Sequence, residues 1–194
     1  MKTVKHNNGE NIYFTSDSHY SHFNICSGTS KWPNLFNCRK FDTIEQMNQV
    51  IVDNINNKVS EDDILYHLGD WSFGSVYNVI SFRKQIKCKN IHLFLGNHDK
   101  HIRKNKDNIQ SFFLSVQDYG EITIENQRMI LMHYPIASWS GINRGSWMSF
   151  GHCHSKYQGQ GKTLDVGIDN YYKLFGSYSP FSYEEIKGII NDKQ

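Results

Sequence analysis

The sequence predicts an α/β (or α+β) layered fold built around a mixed sheet, and three observations support this. Apolar, β-rich runs alternate with helical patterns in the first half of the chain. In the second half such runs follow one another directly. Several of them stop at Asp, Asn, His or Gly, and open α/β folds place their ligand sites at strand ends of this kind.

Taken in order, residues 11–16 (NIYFTS) form a short run of β-formers, read as a strand that enters DSHYSH. A polar loop with Gly28 and Pro33 follows. FDTIEQMNQVIVDNINNKV opens with a capping-box pair, Thr43 and Gln46, and sets Ile44, Met47, Ile51 and Ile55 at helical spacing. DILYHLGD reads as a buried strand ending at Gly69 and Asp70, and residues 76–87 read as a helix. NIHLFLGNHD is a further strand that ends in a Gly-Asn-His turn. EITIE and RMILMHYP read as a strand pair, with WMSFGHCH and TLDVGID as two more strands. FSYEEIKGII closes the chain as a helix, with Ser182 and Glu185 as a second capping box. No repeat, low-complexity tract or linker interrupts the pattern, so residues 1–194 are expected to form a single domain.

Composition narrows the function classes. A net charge of +2 is too mild to argue for binding a nucleic-acid polymer, although it suits an anionic substrate. Cys26, Cys38, Cys88 and Cys153 form no C-x-x-C pair, which argues against a zinc finger or a disulfide framework. The start of the chain has no apolar secretory core, and no run approaches the ~20 apolar residues that span a bilayer. A cytoplasmic location away from the membrane is therefore expected.

Five segments place metal-affine residues where apolar runs stop. They are SDSH with Asp17 and His19, LGD with Asp70, GNHD with Asn97, His98 and Asp99, MHYP with His133, and GHCH with His152 and His154. This mixture of imidazole, carboxylate and amide donors suits Mn²⁺, Zn²⁺ or Fe better than Ca²⁺ or a thiolate-bound metal. If the backbone is extended at these points, the period of two sets Asp17 beside His19 and His152 beside His154, with Cys153 turned away. Gly69, Gly96 and Gly151 would let the chain turn sharply beside them. His67 and His92 lie inside strands and read as packed residues, while His6 and His101 read as surface residues. His22 either faces the site or ends the loop.

In this order, D-x-H, GD, GNHD, a lone H and GHxH resemble the calcineurin-like metallophosphoesterase superfamily. The wider pattern of FTSDSHYSH, CRKF, YHLGDWSFG and LDVGID is similar to its small single-domain bacterial and phage phosphoesterases. The resemblance implies a four-layered α/β/β/α sandwich of two mixed sheets flanked by helices. It implies two divalent transition metal ions, Mn²⁺ first, with Zn²⁺, Fe or Ni²⁺ as alternatives. Asp17, His19, Asp70 and His154 would hold one ion, and Asp70, Asn97, His133 and His152 the other, with Asp70 bridging. A hydroxide between the ions would attack phosphorus, His98 would protonate the leaving oxygen or stabilise the transition state, and Asp99 would orient His98.

Arg39 is a candidate phosphate clamp, or else a surface arginine ahead of a helix. Tyr134, Trp139, Trp147 and Tyr171 are either a stacking wall for a base or core, and Arg144 is a candidate to cover the site. The expected partner is a small phosphate ester, nucleotides and cyclic nucleotides included. The alternatives are a nuclease acting on polymeric DNA or RNA, to which the basic HIRKNK stretch (101–106) would contribute, and a non-catalytic scaffold.

Overall fold

The strands are β1 (Val4–His6), β2 (Ile12–Thr15), β3 (Ile64–His67), β4 (Asn90–Phe94), β5 (Ser115–Gln117), β6 (Tyr119–Ile124), β7 (Gln127–Met132), β8 (Trp147–Phe150), β9 (Thr163–Asp165) and β10 (Phe181–Ser182). The helices are α1 (Ile44–Lys58), α2 (Val76–Gln85), α3 (Lys100–Lys104), α4 (Ile168–Phe175) and α5 (Tyr183–Asn191). This computed structural model describes residues 4–105 and 108–193. The strands form two mixed sheets, ordered β10-β2-β3-β4-β5 and β1-β6-β7-β8-β9. β2, β3, β4 and β5 run parallel, as do β7, β8 and β9, so their carboxyl ends gather. The chain ends are exchanged: β1 pairs with β6 in the second sheet, and β10 pairs with β2 in the first.

Strand alternation builds the layers. Ile12, Phe14, Tyr66 and Phe94 face the second sheet and pack with Ile122, Met129, Leu131 and Leu164. Phe14, Tyr66 and His92 are cross-strand neighbours whose rings stack at centroid distances of 5.3 and 4.8 Å. The alternate residues Leu65, Ile91 and Leu93 face the other way, against Met47, Ile51 and Ile55 of α1 and Val79 and Phe82 of α2. Full burial of each such side chain is worth roughly 1.5–3 kcal/mol. α5 adds Tyr183, Ile186 and Ile190 to the core between the sheets. Trp139 covers Ile130, Met148 and Phe150 on the second sheet.

Several local expectations are corrected. Thr43 caps α1 by accepting from the Gln46 N–H, but the Gln46 side chain accepts from Asp42 N–H rather than from Thr43, so that box is incomplete. The Ser182–Glu185 box is complete. Residues 168–175, the first of them read as strand, form α4 instead: β9 ends at Asp165, and Gly167 is the N-cap. His6 is half-buried rather than a surface residue, and its Nε2 meets the Tyr66 hydroxyl of the other sheet at 2.7 Å. Of the basic stretch 101–106, Lys106 lies outside the described residues, and Arg103 is paired with Asp118. No helix among the described residues is long and apolar enough to cross a membrane.

Candidate metal centre

All five predicted segments sit just beyond strand ends, at one edge of the two sheets. Asp17 and His19 follow β2, Asp70 follows β3, and Asn97, His98 and Asp99 follow β4. His133 follows β7, and His152 and His154 follow β8. The expected extended backbone is not what orients these residues. Asp17, His19, Asp70, His152 and His154 all have positive φ, between 46° and 70°. The strands have already ended at Thr15, His67 and Phe150, so the period of two no longer applies. Asp, Asn and His enter the left-handed region more readily than most residues, at about 1–2 kcal/mol per residue.

The turns are held by bonds between loops. Asp17 N–H donates to the Gly69 carbonyl at 2.9 Å, and His19 N–H to the Asp70 carbonyl at 3.0 Å. His152 N–H donates to both oxygens of Asp17 at 3.0 and 2.9 Å. Gly69 needs its freedom, at φ +99°. Gly96 and Gly151 serve differently, by allowing close approach. A Cβ would stand 2.2 Å from Asp70 Oδ1 at Gly96, and 2.5 Å from Asp17 Oδ2 at Gly151.

Three sets of donor atoms, each within 4.8 Å of one another, result: Asp17, His19 and His154; His19, Asp70 and His98; and Asp70, His133 and His152. His19 Nε2 lies 3.4 Å from Asp70 Oδ2 and 3.9 Å from Asp17 Oδ1, and His133 Nε2 lies 3.5 Å from Asp70 Oδ2. Asn97 Oδ1 is 3.2 Å from His133 Nε2. His19 Nε2 is buried with no hydrogen-bond partner among the described residues. Such an atom costs about 1–3 kcal/mol unless something satisfies it. Donors about 2.1 Å from a shared ion stand roughly 3–3.5 Å apart, close to these spacings. The residues therefore fit divalent cations.

Charge points the same way. Burial, and then the neighbouring Asp17 charge, pushes Asp70 up to about 8. The same two causes push Asp165 up to about 7. Burial lowers His133, and it lowers His19 well below the ordinary value, aided by His154, Arg39 and His22. Burial opposes protonation of His154 too, but its bond to Asp169 and the charge of Asp17 prevail and raise it. Without metal, burial thus disfavours the carboxylate charge of Asp70 and the imidazolium charge of His19 and His133. Cations would relieve the first without needing the second.

Two sequence assignments change. Asp99 does not orient the His98 ring: its carboxylate accepts from the N–H groups of Asp70, Trp71 and Gly96 at 2.8, 3.0 and 2.9 Å. It is 2% exposed and ties the β3 loop to the β4 loop. Asp99→Ala should leave those three donors unsatisfied and cost on the order of 3 kcal/mol or more. A urea melt checks this, and a change below about 1 kcal/mol would remove the brace.

Arg39 is not available as a phosphate clamp. It is buried, grips Asp169 through Nε and an Nη at 2.8 Å each, and donates to the carbonyls of Ser18 and Asp17 at 2.8 and 2.6 Å. Arg39 and His154 together hold Asp169 well below the usual carboxylate range, although burial opposes this. Asp169 in turn bonds His154 Nδ1 at 2.6 Å, which leaves Nε2 facing Asp17. A carboxylate on the far nitrogen is how proteins fix a metal-binding imidazole.

His22 faces the site. Its Nδ1 is 3.1 Å from His19 Nδ1, and its ring stacks on Phe73 at 3.8 Å. Burial, followed by the nearby cationic groups, lowers it to about 4. His67 and His92 are the packed residues expected, bonded to Ser18 and Ser115 at 2.8 Å each. Trp139, Trp147 and Tyr171 are buried in core, whereas Tyr134 is exposed and meets the rings of His133 and His152 edge-on. Arg144 is exposed, in a short 3₁₀ turn. Cys153 packs against the cluster of Ile130, Trp139, Met148 and Phe150, and burial pushes its thiol up to about 11. Asp165 and Asp169 are the two aspartates of LDVGID, so that motif is the sequence signal for both.

The two-sheet sandwich thus gathers imidazole, carboxylate and amide donors at its strand ends, a set suited to metal-dependent chemistry. The chain belongs to the calcineurin-like phosphoesterase family, whose profile matches residues 10–185 and so includes all five segments. It is 30% identical to the uncharacterized protein MJ1445 of Methanocaldococcus jannaschii, over 92% of this chain and 90% of the relative. The crystal structure of a protein of unknown function, AQ665 from Aquifex aeolicus, shares the fold with a TM-score of 0.68. The two are 24% identical, over 92% of this chain and 98% of the other. A structure described as a novel archaeal phosphodiesterase matches with a TM-score of 0.45 and 17% identity, over 85% of this chain and 87% of the other.

Proposed function

We propose that the chain hydrolyses phosphomonoester or phosphodiester bonds of a small, nucleotide-like substrate with the help of two divalent cations. The convergence on Asp70 carries this reading: one oxygen, Oδ2, lies within 3.5 Å of imidazole nitrogens from both sheets, those of His19 and His133. Asp17, His19, Asp70 and His154 are assigned to one cation, and Asp70, Asn97, His133 and His152 to the other. The donor chemistry suits Mn²⁺ first, with Zn²⁺, Fe or Ni²⁺ as alternatives. When bound, such a pair polarises the phosphoryl group and brings the pKa of coordinated water towards neutrality.

The chain's own groups supply position and protons. His98 N–H donates to Asp70 Oδ1 at 2.9 Å, which ties the His98 backbone to the shared carboxylate. Its half-exposed ring lies against Phe73 and His19, at 5.2 and 5.1 Å. Burial, and then Lys100 and His154, lower its pKa, which makes the imidazolium a stronger proton donor to a leaving oxygen. His98 also falls within reach of a cation, but Asp17, His19, Asp70 and His154 already supply four donors to that site. Asp99 acts through the loops rather than on the substrate.

A screen with Mn²⁺ tests the reading on p-nitrophenyl phosphate, bis-p-nitrophenyl phosphate, 2′,3′- and 3′,5′-cyclic nucleotides and short oligonucleotides. The expected result is turnover of a small ester that a chelator removes and Mn²⁺ restores. Cleavage of oligonucleotides alone would indicate a nuclease, and no turnover at all would indicate a scaffold.

A further inference from the structure

A cleft of about 390 Å³ lies beside the metal centre, large enough for a nucleotide. His154 belongs to both: its Nε2 is 3.9 Å from Asp17 Oδ1, while its Nδ1 bonds Asp169 in the cleft wall. Lys40, Lys156 and Lys173 line the cleft, all exposed. None of the three forms an ion pair among the described residues. The one acidic side chain in the wall is Asp169, and Arg39 and His154 already engage its oxygens. The cleft is therefore net cationic, although it borders a site built from carboxylates.

An aromatic shelf completes it. Tyr178 is buried over the Arg39 guanidinium, and Tyr172 stacks on Tyr178 at 4.5 Å with an interplanar angle of 11°. Tyr172 is exposed, and Phe36, at 89% exposure, stands in the same wall. Both side chains offer an open ring face on which a flat group can stack.

We propose that this cleft binds the non-reacting part of the substrate: a second phosphate held by Lys40, Lys156 and Lys173, and a nucleobase against Tyr172 or Phe36. The substrate class is thus a nucleotide bearing a phosphate in addition to the one that is cleaved. This rests on the phosphoesterase reading above and extends it to specificity.

The test measures equilibrium binding of adenosine 3′,5′-bisphosphate to the full chain treated with chelator, by calorimetry, so that no turnover enters. Lys40→Glu, Lys156→Glu and Lys173→Glu combined should weaken binding at least about 30-fold, with adenosine, which carries no phosphate, much less affected, because each lysine supplies a charge-assisted contact to phosphate. Phe36→Ala should weaken both ligands together. The Mn²⁺-loaded proteins then give the ratio of kcat/KM for the bisphosphate to that for p-nitrophenyl phosphate, which should fall in the triple variant. Weakening of less than threefold, equal loss for adenosine and the bisphosphate, or binding confined to long oligonucleotides would overturn the cleft. Failure of the wild type to hydrolyse any ester, with selective bisphosphate binding intact, would instead overturn the phosphoesterase reading.

Discussion

Asp70→Asn is expected to lower phosphoesterase turnover by about 10³-fold or more, because it removes the charged group assigned to both proposed cation sites. Metal analysis should show the loss directly, with content falling from two ions per chain to one or none. Both ions retained would remove Asp70 as the bridge. The same variant should stabilise the metal-free chain at alkaline pH. Asp70 is held near 8 in the fold against an ordinary carboxylate value near 4, so between those values the native chain keeps a proton that the unfolded chain has lost. Its contribution to stability therefore falls as pH rises through that window. Asn carries no such penalty. In chelator at pH 8 the variant should melt above the wild type, and the gap should close as pH drops towards 4. A gap independent of pH would mean that the carboxylate is not the source of the tension.

His98→Ala should separate substrates by their leaving groups. For an alkyl or nucleoside ester the departing oxygen needs a proton, and loss of the donor should reduce kcat/KM by about 10²–10⁴-fold. p-Nitrophenolate leaves without one, so p-nitrophenyl phosphate should lose only a few-fold. Equal loss on both would end the proton-donor role. Metal content decides a second point, since the His98 ring also lies among donors within 4.8 Å of one another. Two ions retained in His98→Ala keep it on the substrate side, and a lost ion would make it a ligand.

The candidate site was legible because its residues are few in type and stand where apolar runs stop, a pattern that survives without coordinates. Asp17, His19, Asp70, Asn97, His133, His152 and His154 are the residues the fold brings together. For Asp17 and His19, and for His152 and His154, the period of two does not set the orientation, because it ends with the strand and left-handed turns take over. Support around the site was much less legible. An arginine before a helix looks the same in sequence whether it faces solvent or, as Arg39 does, is buried against an aspartate 130 residues away. Asp99 adjoins His98, and adjacency suggested a partnership that three backbone N–H groups preclude. In the fold, α4 was missed because TLDVGID alternates like a strand up to the point where Gly167 starts a helix.

The exchanged chain ends bear on synthesis. The first sheet is built mainly from residues 12–117, yet among the described residues the outer edge of β2 is paired by Phe181 and Ser182, near the end of the chain. On the ribosome, more than sixty residues must therefore emerge after β5 before that edge can be covered. For that interval a strand with two fully apolar inward residues, Ile12 and Phe14, presents unpaired backbone to any neighbouring nascent chain. The hazard is one of timing rather than of final stability, and slower translation over the second half would lengthen it.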